Sequence, residues 1–268
     1  MLFTDQIVNF RTTGNICLFM HRVMLSRSTV GEQTQCRVNV DERGVDLARG
    51  GTPVHLFLRN DQLVLRIIHI MSPLILASAS RMRRQLLENA GLSIEVVTPR
   101  VDEEMIREGM LAEHHTPRDI ADALAEAKAT RISCKRPGAM VLGCDQVLNL
   151  DGTLISKAAT ADLARAQLLA MRGRRHDLLS AAVICQDAVP IWRHIGTARL
   201  TVRDFSDVWL DGYIARNWPD ISDSVGSYKL EAEGVRLFSR IEGDYFTILG
   251  LPLLDLLTFL TQRGDLAA

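Results

Sequence analysis

From residue 73 onward the chain alternates short apolar segments with helical patterns, and this alternation restricts the possible folds more than any other feature. The first apolar segment, residues 74–77, leads through small residues into a helical pattern that Gly91 ends. Later helical patterns begin after Thr116, Thr160 and Ser206, whose side chains can accept from free backbone N–H groups at a helix start. Strands separated by helices predict an α/β fold, with a mixed, twisted sheet flanked by helices on both faces.

Composition and charge exclude several functions. The chain has 268 residues, of which 47% are hydrophobic and 24% charged, with a formal net charge of -1. This balance provides no electrostatic basis for binding nucleic acid or an anionic membrane. Aromatic residues make up only 5%, so there are few platforms for stacking bases. No apolar run reaches the roughly 18 residues that a membrane helix needs. We therefore expect neither nucleic acid nor membrane as a partner.

The cysteines indicate a reducing compartment. Their number is odd and no C-x-x-C pair occurs, which does not predict a disulfide framework or a zinc site. A cytoplasmic location is therefore expected. The five positions are Cys17, Cys36, Cys134, Cys144 and Cys185.

Residues 1–70 differ from the rest of the chain. They contain no lysine and little helical periodicity, although residues 54–58 and 63–70 could pair as a hairpin. We predict that residues 1–70 are an N-terminal extension, either poorly ordered or upstream of a natural start at Met71. The domain then spans residues 71–268. N-terminal sequencing of the native protein tests this, and a peptide from residues 1–60 would contradict it.

Hydroxyl and guanidinium groups cluster where the first strand passes into the first helix. Ser80 is positioned to cap that helix. A helix N-terminus offers free N–H groups and the positive end of a dipole, which suits a phosphate. A capped helix with a solvated basic face would give the same pattern, so the cluster alone leaves both interpretations open. Its members are Ser78, Ser80, Arg81, Arg83 and Arg84.

Asp145 interrupts the apolar strand predicted over residues 139–150. An ionised carboxylate among buried apolar residues is costly unless it is paired or metal-bound, which makes Asp145 the best candidate for function. The alternative is a strand-end aspartate satisfied by backbone N–H groups. Residues 102–104 form a second acidic group in a predicted loop. Without a bound cation, the alternative interpretation of this group is a solvated turn. Carboxylates bind divalent cations and basic side chains neutralise phosphate, so these clusters together suit a polyphosphate with a divalent cation.

The order of these motifs resembles the Maf nucleotide pyrophosphatases. The segment L-I-L-A-S-A-S-x-x-R-R-x-L-L, starting at Leu74, is similar to the opening motif of that family. Later similar motifs are V-D-E at 101–103, A-K-A at 127–129, G-C-D-Q-V at 143–147, M-R-G-R at 171–174, G-S-Y-x-x-E at 226–231 and L-G-L-P-L at 249–253. The resemblance extends over about residues 72–262 and does not include residues 1–70.

The resemblance implies two lobes around a nucleotide cleft and an enzyme that hydrolyses a nucleoside triphosphate between its α and β phosphates. The products would be a nucleoside monophosphate and pyrophosphate. In the family, the position matching Asp145 accepts the proton of the attacking water, and Glu103 with Asp145 would hold Mg²⁺ or Mn²⁺. Positions linked to phosphate contact match Ser78, Arg83, Lys128 and Lys157.

Three positions are linked to base choice in the family, and here they are Met82, Gln146 and Glu231. A branch acting on dTTP and UTP typically has Arg, Thr and Gln there. A branch acting on 7-methyl-GTP has an aromatic residue, Gln and Glu. Gln146 and Glu231 match the second branch, so the resemblance implies a non-standard nucleotide such as 7-methyl-GTP as substrate.

Two other functions remain as alternatives. The family has also been linked to arrest of cell division, so a nucleotide-binding regulator without significant turnover would bind nucleotides and not hydrolyse them. Nucleic-acid binding through Arg81, Arg83 and Arg84 is disfavoured by the charge and by the few aromatic residues. The resemblance also implies a possible homodimer.

Overall fold

A computed structural model describes short segments before residue 57 and then residues 73–266. Contacts divide the chain into two units, Met1–Met71 and Ser72–Ala268. In the first unit, β1 and β2 form an antiparallel pair, and β3, β4 and β5 form an antiparallel sheet in that order. These strands are Val8–Arg11 (β1), Cys17–Met20 (β2), Cys36–Asp41 (β3), Gly44–Arg49 (β4) and Thr52–Leu56 (β5).

The predicted hairpin falls only partly within this description. The strand predicted at residues 54–58 overlaps β5, whereas residues 63–70 and the turn before them lie outside the described residues. The assignment of residues 1–70 as an extension that the native protein lacks, or that is poorly ordered, stays a prediction.

The second unit is an α/β domain. Its first half contains β6 (Leu74–Ala77), α1 (Arg81–Asn89), β7 (Ile94–Val96), α2 (Glu103–Ala112), α3 (Pro117–Ser133), β8 (Val141–Leu150) and β9 (Thr153–Ile155). Its second half contains α4 (Ala161–Met171), β10 (Arg175–Gln186), β11 (Val189–Val202), α5 (Asp207–Asn217), β12 (Phe238–Glu242), α6 (Tyr245–Ile248) and α7 (Leu253–Arg263). The sheet order is β12-β11-β10-β8-β6-β7, with β9 also paired to β8. β6 runs parallel to β7 and β8, and the other pairs are antiparallel, so the predicted mixed sheet is confirmed.

The helix starts follow the capping residues that the sequence predicts. Ser80, Thr116, Thr160 and Ser206 each accept a hydrogen bond from the backbone N–H three residues later. At Thr116 the cap is reciprocal, because the Asp119 carboxylate accepts from the Thr116 backbone N–H. α3, which carries Lys128, therefore begins at a well-defined residue.

Two local predictions are wrong, and one helix was not anticipated. Residues 102–104 were expected in a loop, but Asp102 caps α2 and accepts from the Met105 backbone N–H at 3.0 Å, so Glu103 lies in the first helical turn. The strand expected over residues 235–241 begins only at Phe238, after a 3₁₀ turn over Glu233–Leu237. α6 was not predicted.

Helices cover both faces of the sheet because successive strand side chains point in opposite directions. α3 packs against the face that carries Val141 and Val147, whereas α1 and α7 pack against the face that carries Leu142 and Cys144. A third apolar cluster joins α4 and α5 to the far end of β8 and β10. Among the described helices, none has the length and apolar character needed to cross a bilayer.

Candidate active site

The sheet is open beside the middle of β8. β6 pairs with β8 only as far as Ala77 opposite Gly143, and β9 pairs with β8 only from Leu148 opposite Ile155. Within the described part of the chain, residues 144–147 therefore have no strand neighbour on that side. Asp145 points to the α3 face and Gln146 to the other face. The opening lets both side chains line one cleft.

The cleft has a volume of about 1490 Å³. This exceeds the roughly 300–1,000 Å³ typical of small-molecule sites, so it can hold a ligand as long as a nucleotide with its phosphates. Its walls mix charges of both signs. The cations are Arg81, Arg83, Arg100, Arg107, Lys128, Lys157 and Lys229, and the acids are Asp102, Glu103, Glu104, Asp145, Asp220, Asp223 and Glu231.

Lys128 joins the two predicted carboxylates. Its ammonium lies 2.6 Å from Asp145 Oδ1 and 2.9 Å from Glu103 Oε2. Lys128 and Asp145 are both buried. The ion pair offsets the cost of burying the Asp145 carboxylate, which answers the question that its place in an apolar strand raised. Both carboxylates therefore meet at the Lys128 ammonium.

Arg83 connects three segments of the cleft wall by hydrogen bonds. Its Nε donates to the Gly250 carbonyl at 2.8 Å, and its Nη1 donates to the Cys144 carbonyl at 3.0 Å and to Ser78 Oγ at 3.2 Å. Within the described residues this leaves Nη2 for a ligand. Ser78 Oγ also accepts from the Ser80 N–H at 3.2 Å, so its own O–H is free to donate. The corner is therefore both a capped helix start and a set of donors that face the cleft.

The residues predicted to contact the base all line this cleft, but they differ in exposure and in hydrogen bonding. Gln146 is held by hydrogen bonds from its Nε2, whereas Glu231 is exposed and Met82 packs partly against the α1 side of the core. Lys157 is exposed on the wall that follows β9. Within residues 73–266, no ion pair engages Lys157 or Glu231. All predicted site residues therefore meet at one cleft.

Two titratable residues near the site, Cys144 and His176, are neutral at neutral pH. Burial raises the pKa of the Cys144 thiol to about 11, so this side chain is a protonated thiol at neutral pH. Burial also lowers the pKa of His176 to about 4. The neutral His176 shares a hydrogen bond of 2.7 Å, from its Nε2, with the buried Tyr228 hydroxyl, and Tyr228 lines the cleft.

The site also contains residues that the sequence analysis missed. Ser180 Oγ and the main-chain carbonyls of Thr247 and Ile248 surround the Gln146 amide. A hydroxyl in the apolar run of β10 was the one available signal for Ser180. The two carbonyls leave no signal in a sequence, because every residue has one.

The carboxylates suit a divalent ion that also binds a ligand. Within residues 73–266, no group of three or more His, Cys, Asp or Glu side chains is arranged as a metal site. Mg²⁺ is usually bound through one or two carboxylates together with substrate phosphates. Glu103 and Asp145, which lie close together on either side of the Lys128 ammonium, fit that second pattern.

The fold and the cleft define an α/β protein in which the gap beside the middle of β8 opens into a cleft. Carboxylates and cations line this cleft. The chain belongs to the Maf family, because the model of the Maf-like proteins matches residues 73–263. This confirms the resemblance found in the sequence motifs.

This chain aligns with curated relatives over nearly the whole length of those relatives. A nucleoside triphosphate pyrophosphatase of Roseobacter denitrificans is 60% identical over 194 residues, which are 72% of this chain and 98% of that protein. One of Ruegeria pomeroyi is 59% identical over 192 residues, 72% of this chain and 96% of that protein. A 7-methyl-GTP pyrophosphatase of Mesorhizobium japonicum is 47% identical over 191 residues, 71% of this chain and 96% of that protein.

Proposed function

We propose that the protein is a nucleoside triphosphate pyrophosphatase. Water attacks the α-phosphorus, the bond from that phosphorus to the oxygen bridging the α and β phosphates breaks, and nucleoside monophosphate and pyrophosphate leave. The observation that carries the proposal is the buried Asp145 carboxylate, which is paired with Lys128 and lies at the sheet opening. The names of the curated relatives agree with this activity.

Asp145 is the general base. One of its oxygens contacts the Lys128 ammonium at 2.6 Å, which leaves the other to accept the proton of the attacking water. Lys128 holds the carboxylate in place. Ser78 O–H, Arg83 Nη2 and the Lys157 ammonium bind phosphate oxygens, because each faces the cleft with an unused donor.

We propose a divalent cation, Mg²⁺ or Mn²⁺, as the cofactor. Glu103 and Asp145 would hold it together with phosphate oxygens of the substrate. When bound, the ion supplies positive charge that offsets the phosphate charge in the transition state. The protein's residues supply the base, the phosphate donors and the base-recognition groups.

The preferred substrate is a guanine-type nucleotide such as 7-methyl-GTP. Glu231 presents a carboxylate that can accept from the N1–H and amino edge of guanine and attract the positive charge of a methylated base. Gln146 contributes a second polar group, and Met82 an apolar contact. The relative from Mesorhizobium japonicum is named for this substrate. A cytoplasmic location, where nucleotides are available, agrees with the free thiols of Cys134, Cys144 and Cys185.

A nucleotide panel tests the proposal. Pyrophosphate release is measured with 7-methyl-GTP, GTP, UTP and dTTP, with Mg²⁺ or Mn²⁺, for the wild type and Asp145→Asn. We expect the highest kcat/KM with a guanine nucleotide, and a loss of about 10²- to 10⁴-fold in Asp145→Asn. A preference for UTP or dTTP would refute the base assignment. Binding without turnover in the wild type would instead favour the regulator.

A further inference from the structure

We propose that Ser180 is a positioning residue for base selection, because it holds the Gln146 side-chain amide in one orientation. The inference rests on the proposed pyrophosphatase function and gives an atomic reason for its base choice. β8 and β10 pair antiparallel with Ser180 directly opposite Gln146. Directly opposite residues project from the same face of a sheet. Gln146 Nε2 donates to Ser180 Oγ at 3.0 Å.

The orientation of the amide follows from the number of donors and acceptors. The Ser180 O–H donates to the Thr247 carbonyl at 2.7 Å, so toward Gln146 the Ser180 oxygen only accepts. The other groups near Nε2 are the carbonyl oxygens of Thr247 at 3.2 Å and Ile248 at 3.0 Å, which cannot donate. A flipped amide would place Oε1 against three acceptors. Nε2 therefore points inward and Oε1 is directed to the cleft.

Gln146 Oε1 is the atom left for a ligand. Gln146 lines the cleft, and within the described residues Oε1 accepts no hydrogen bond and is not closed off from solvent. Glu231 lines the same cleft, so a base that reaches both residues meets two acceptors. Guanine presents two neighbouring donors, N1–H and the amino group. Uracil presents one N–H between two carbonyl oxygens. Two acceptor side chains would repel these carbonyl oxygens.

The groups that hold the amide are rigidly packed. Ser180 has no exposed surface and Thr247 is only 1% exposed. Thr247 lies in α6, whose cap residue Asp244 accepts from the Thr247 backbone N–H at 3.2 Å. On its other side the Thr247 side chain fills the space beside Gly196, where any Cβ would collide with it. The amide orientation is therefore set by the core and not by the ligand.

Base selectivity in three variants tests the proposal. Ser180→Ala removes the hydroxyl, Ser180→Thr keeps it, and Ser133→Ala is the matched control. Ser133 is a buried serine outside the cleft lining that accepts from the Ala188 N–H at 2.9 Å. Affinities for the non-hydrolysable α,β-methylene analogues of GTP and UTP are measured by calorimetry, and kcat and KM are measured with GTP and UTP.

We expect Ser180→Ala to lower the GTP-to-UTP ratio of affinities about three- to tenfold, the effect of one neutral hydrogen bond. The loss should lie in Kd and KM and not in kcat, because Ser180 does not contact Asp145. Ser180→Thr and Ser133→Ala should keep the wild-type ratio. An unchanged ratio in Ser180→Ala, or equal weakening for both bases, would overturn the proposal.

Two readouts separate this inference from the proposed function. If the wild type releases no pyrophosphate but the affinity ratio for the analogues falls in Ser180→Ala, the proposed function fails and the role of Ser180 stands. If the wild type hydrolyses nucleotides but the affinity ratio is unchanged in Ser180→Ala, the role of Ser180 fails and the proposed function stands. If Ser180→Ala does not fold, hydrogen exchange of the Gln146 side-chain amide in the labelled wild type decides. It should be slower than for the exposed Gln85 amide, and equal rates would contradict a held orientation.

Discussion

Lys128 is the residue on which the chemistry of the cleft depends most. It is buried, and its ammonium contacts the carboxylates of Asp145 and Glu103 within 2.9 Å. A buried carboxylate that loses its partner is left as an uncompensated charge, which costs about 3–5 kcal/mol. The pair is therefore a structural element as well as part of the proposed mechanism.

Replacing Lys128 with Met should lower both stability and activity. We expect the free energy of unfolding to fall by about 3 kcal/mol, measured by urea denaturation, and pyrophosphate release to be lost. The double variant Lys128→Met/Asp145→Asn should recover much of the stability and none of the activity, because the unpaired charge is gone. Lys135→Met, at an exposed lysine, is the control. Equal stability of the single and double variants would contradict the pairing.

At the level of residues, sequence reasoning identifies polar or charged side chains that interrupt an apolar pattern or match a family motif. Asp145 is conspicuous because it interrupts an apolar strand, and Ser78, Arg83 and Lys157 follow from the family motifs. The acceptors that Arg83 uses could not be predicted, because they are the backbone carbonyls of Cys144 and Gly250, which are far from Arg83 in sequence. The Gln146 amide orientation is hidden for the same reason.

At the level of elements, the close approach of α3 to β8 places Lys128 over Asp145. Gly143 lies on β8 beneath α3, and a Cβ there would meet the Ala125 carbonyl oxygen and lie 2.6 Å from the Ala129 backbone nitrogen. These are backbone atoms, so only a shift of the helix could relieve the contact. Glycine at this position is what allows the helix to lie so near the strand.

Gly143→Ala should therefore damage the fold and the site together. We expect a loss of about 1–3 kcal/mol in the free energy of unfolding, from overpacking, and at least about a tenfold loss in kcat/KM as Lys128 moves with α3. Gly109→Ala is the control, because a Cβ at that exposed position on α2 meets nothing within 4 Å. It should leave activity intact and raise stability slightly. Full activity in Gly143→Ala would show that the close approach is not needed.

Helices with a cap and a buried stripe were predictable, and α2 shows where this fails. Asp102, Glu103 and Glu104 give an acidic start that is typical of a helix N-terminus. However, no residue of α2 is fully buried, and its apolar residues Ile106 and Met110 pack only partly against the core. From its acidic residues the sequence predicts a solvated loop there, whereas the structure has a helix whose Glu103 lines the cleft.

At the level of the whole molecule, the cleft exists because the sheet is incomplete beside residues 144–147. The sequence predicts the strands and their order of appearance, but not how far β6 extends along β8 or where β9 begins to pair. Strand registers depend on packing between distant segments. The convergence of residues 78–83, 128, 145 and 231 therefore needed either the structure or the family motifs.

His176 ties the stability of the whole domain to pH. Its ring is 2% exposed, its Nε2 shares a hydrogen bond with the Tyr228 hydroxyl, and its Nδ1 is buried without a partner among the described residues. Burial lowers its pKa to about 4, whereas an unfolded histidine has a pKa of about 6.5. Between these two values the unfolded chain binds a proton that the folded chain does not, so acidification favours unfolding.

Stability should therefore fall by up to about 1.4 kcal/mol per pH unit between pH 6.5 and about 4 because of this one group. Above pH 6.5 the effect is absent, since both states are neutral there. Urea denaturation at intervals from pH 7.5 to 4.5 measures it as the difference between the wild type and His176→Gln, which has no proton to bind. His194→Gln, at a half-exposed histidine, should run parallel to the wild type. Should His176→Gln also run parallel, the buried histidine does not stay neutral, and an NMR titration of its ring would then show a pKa near 6.5.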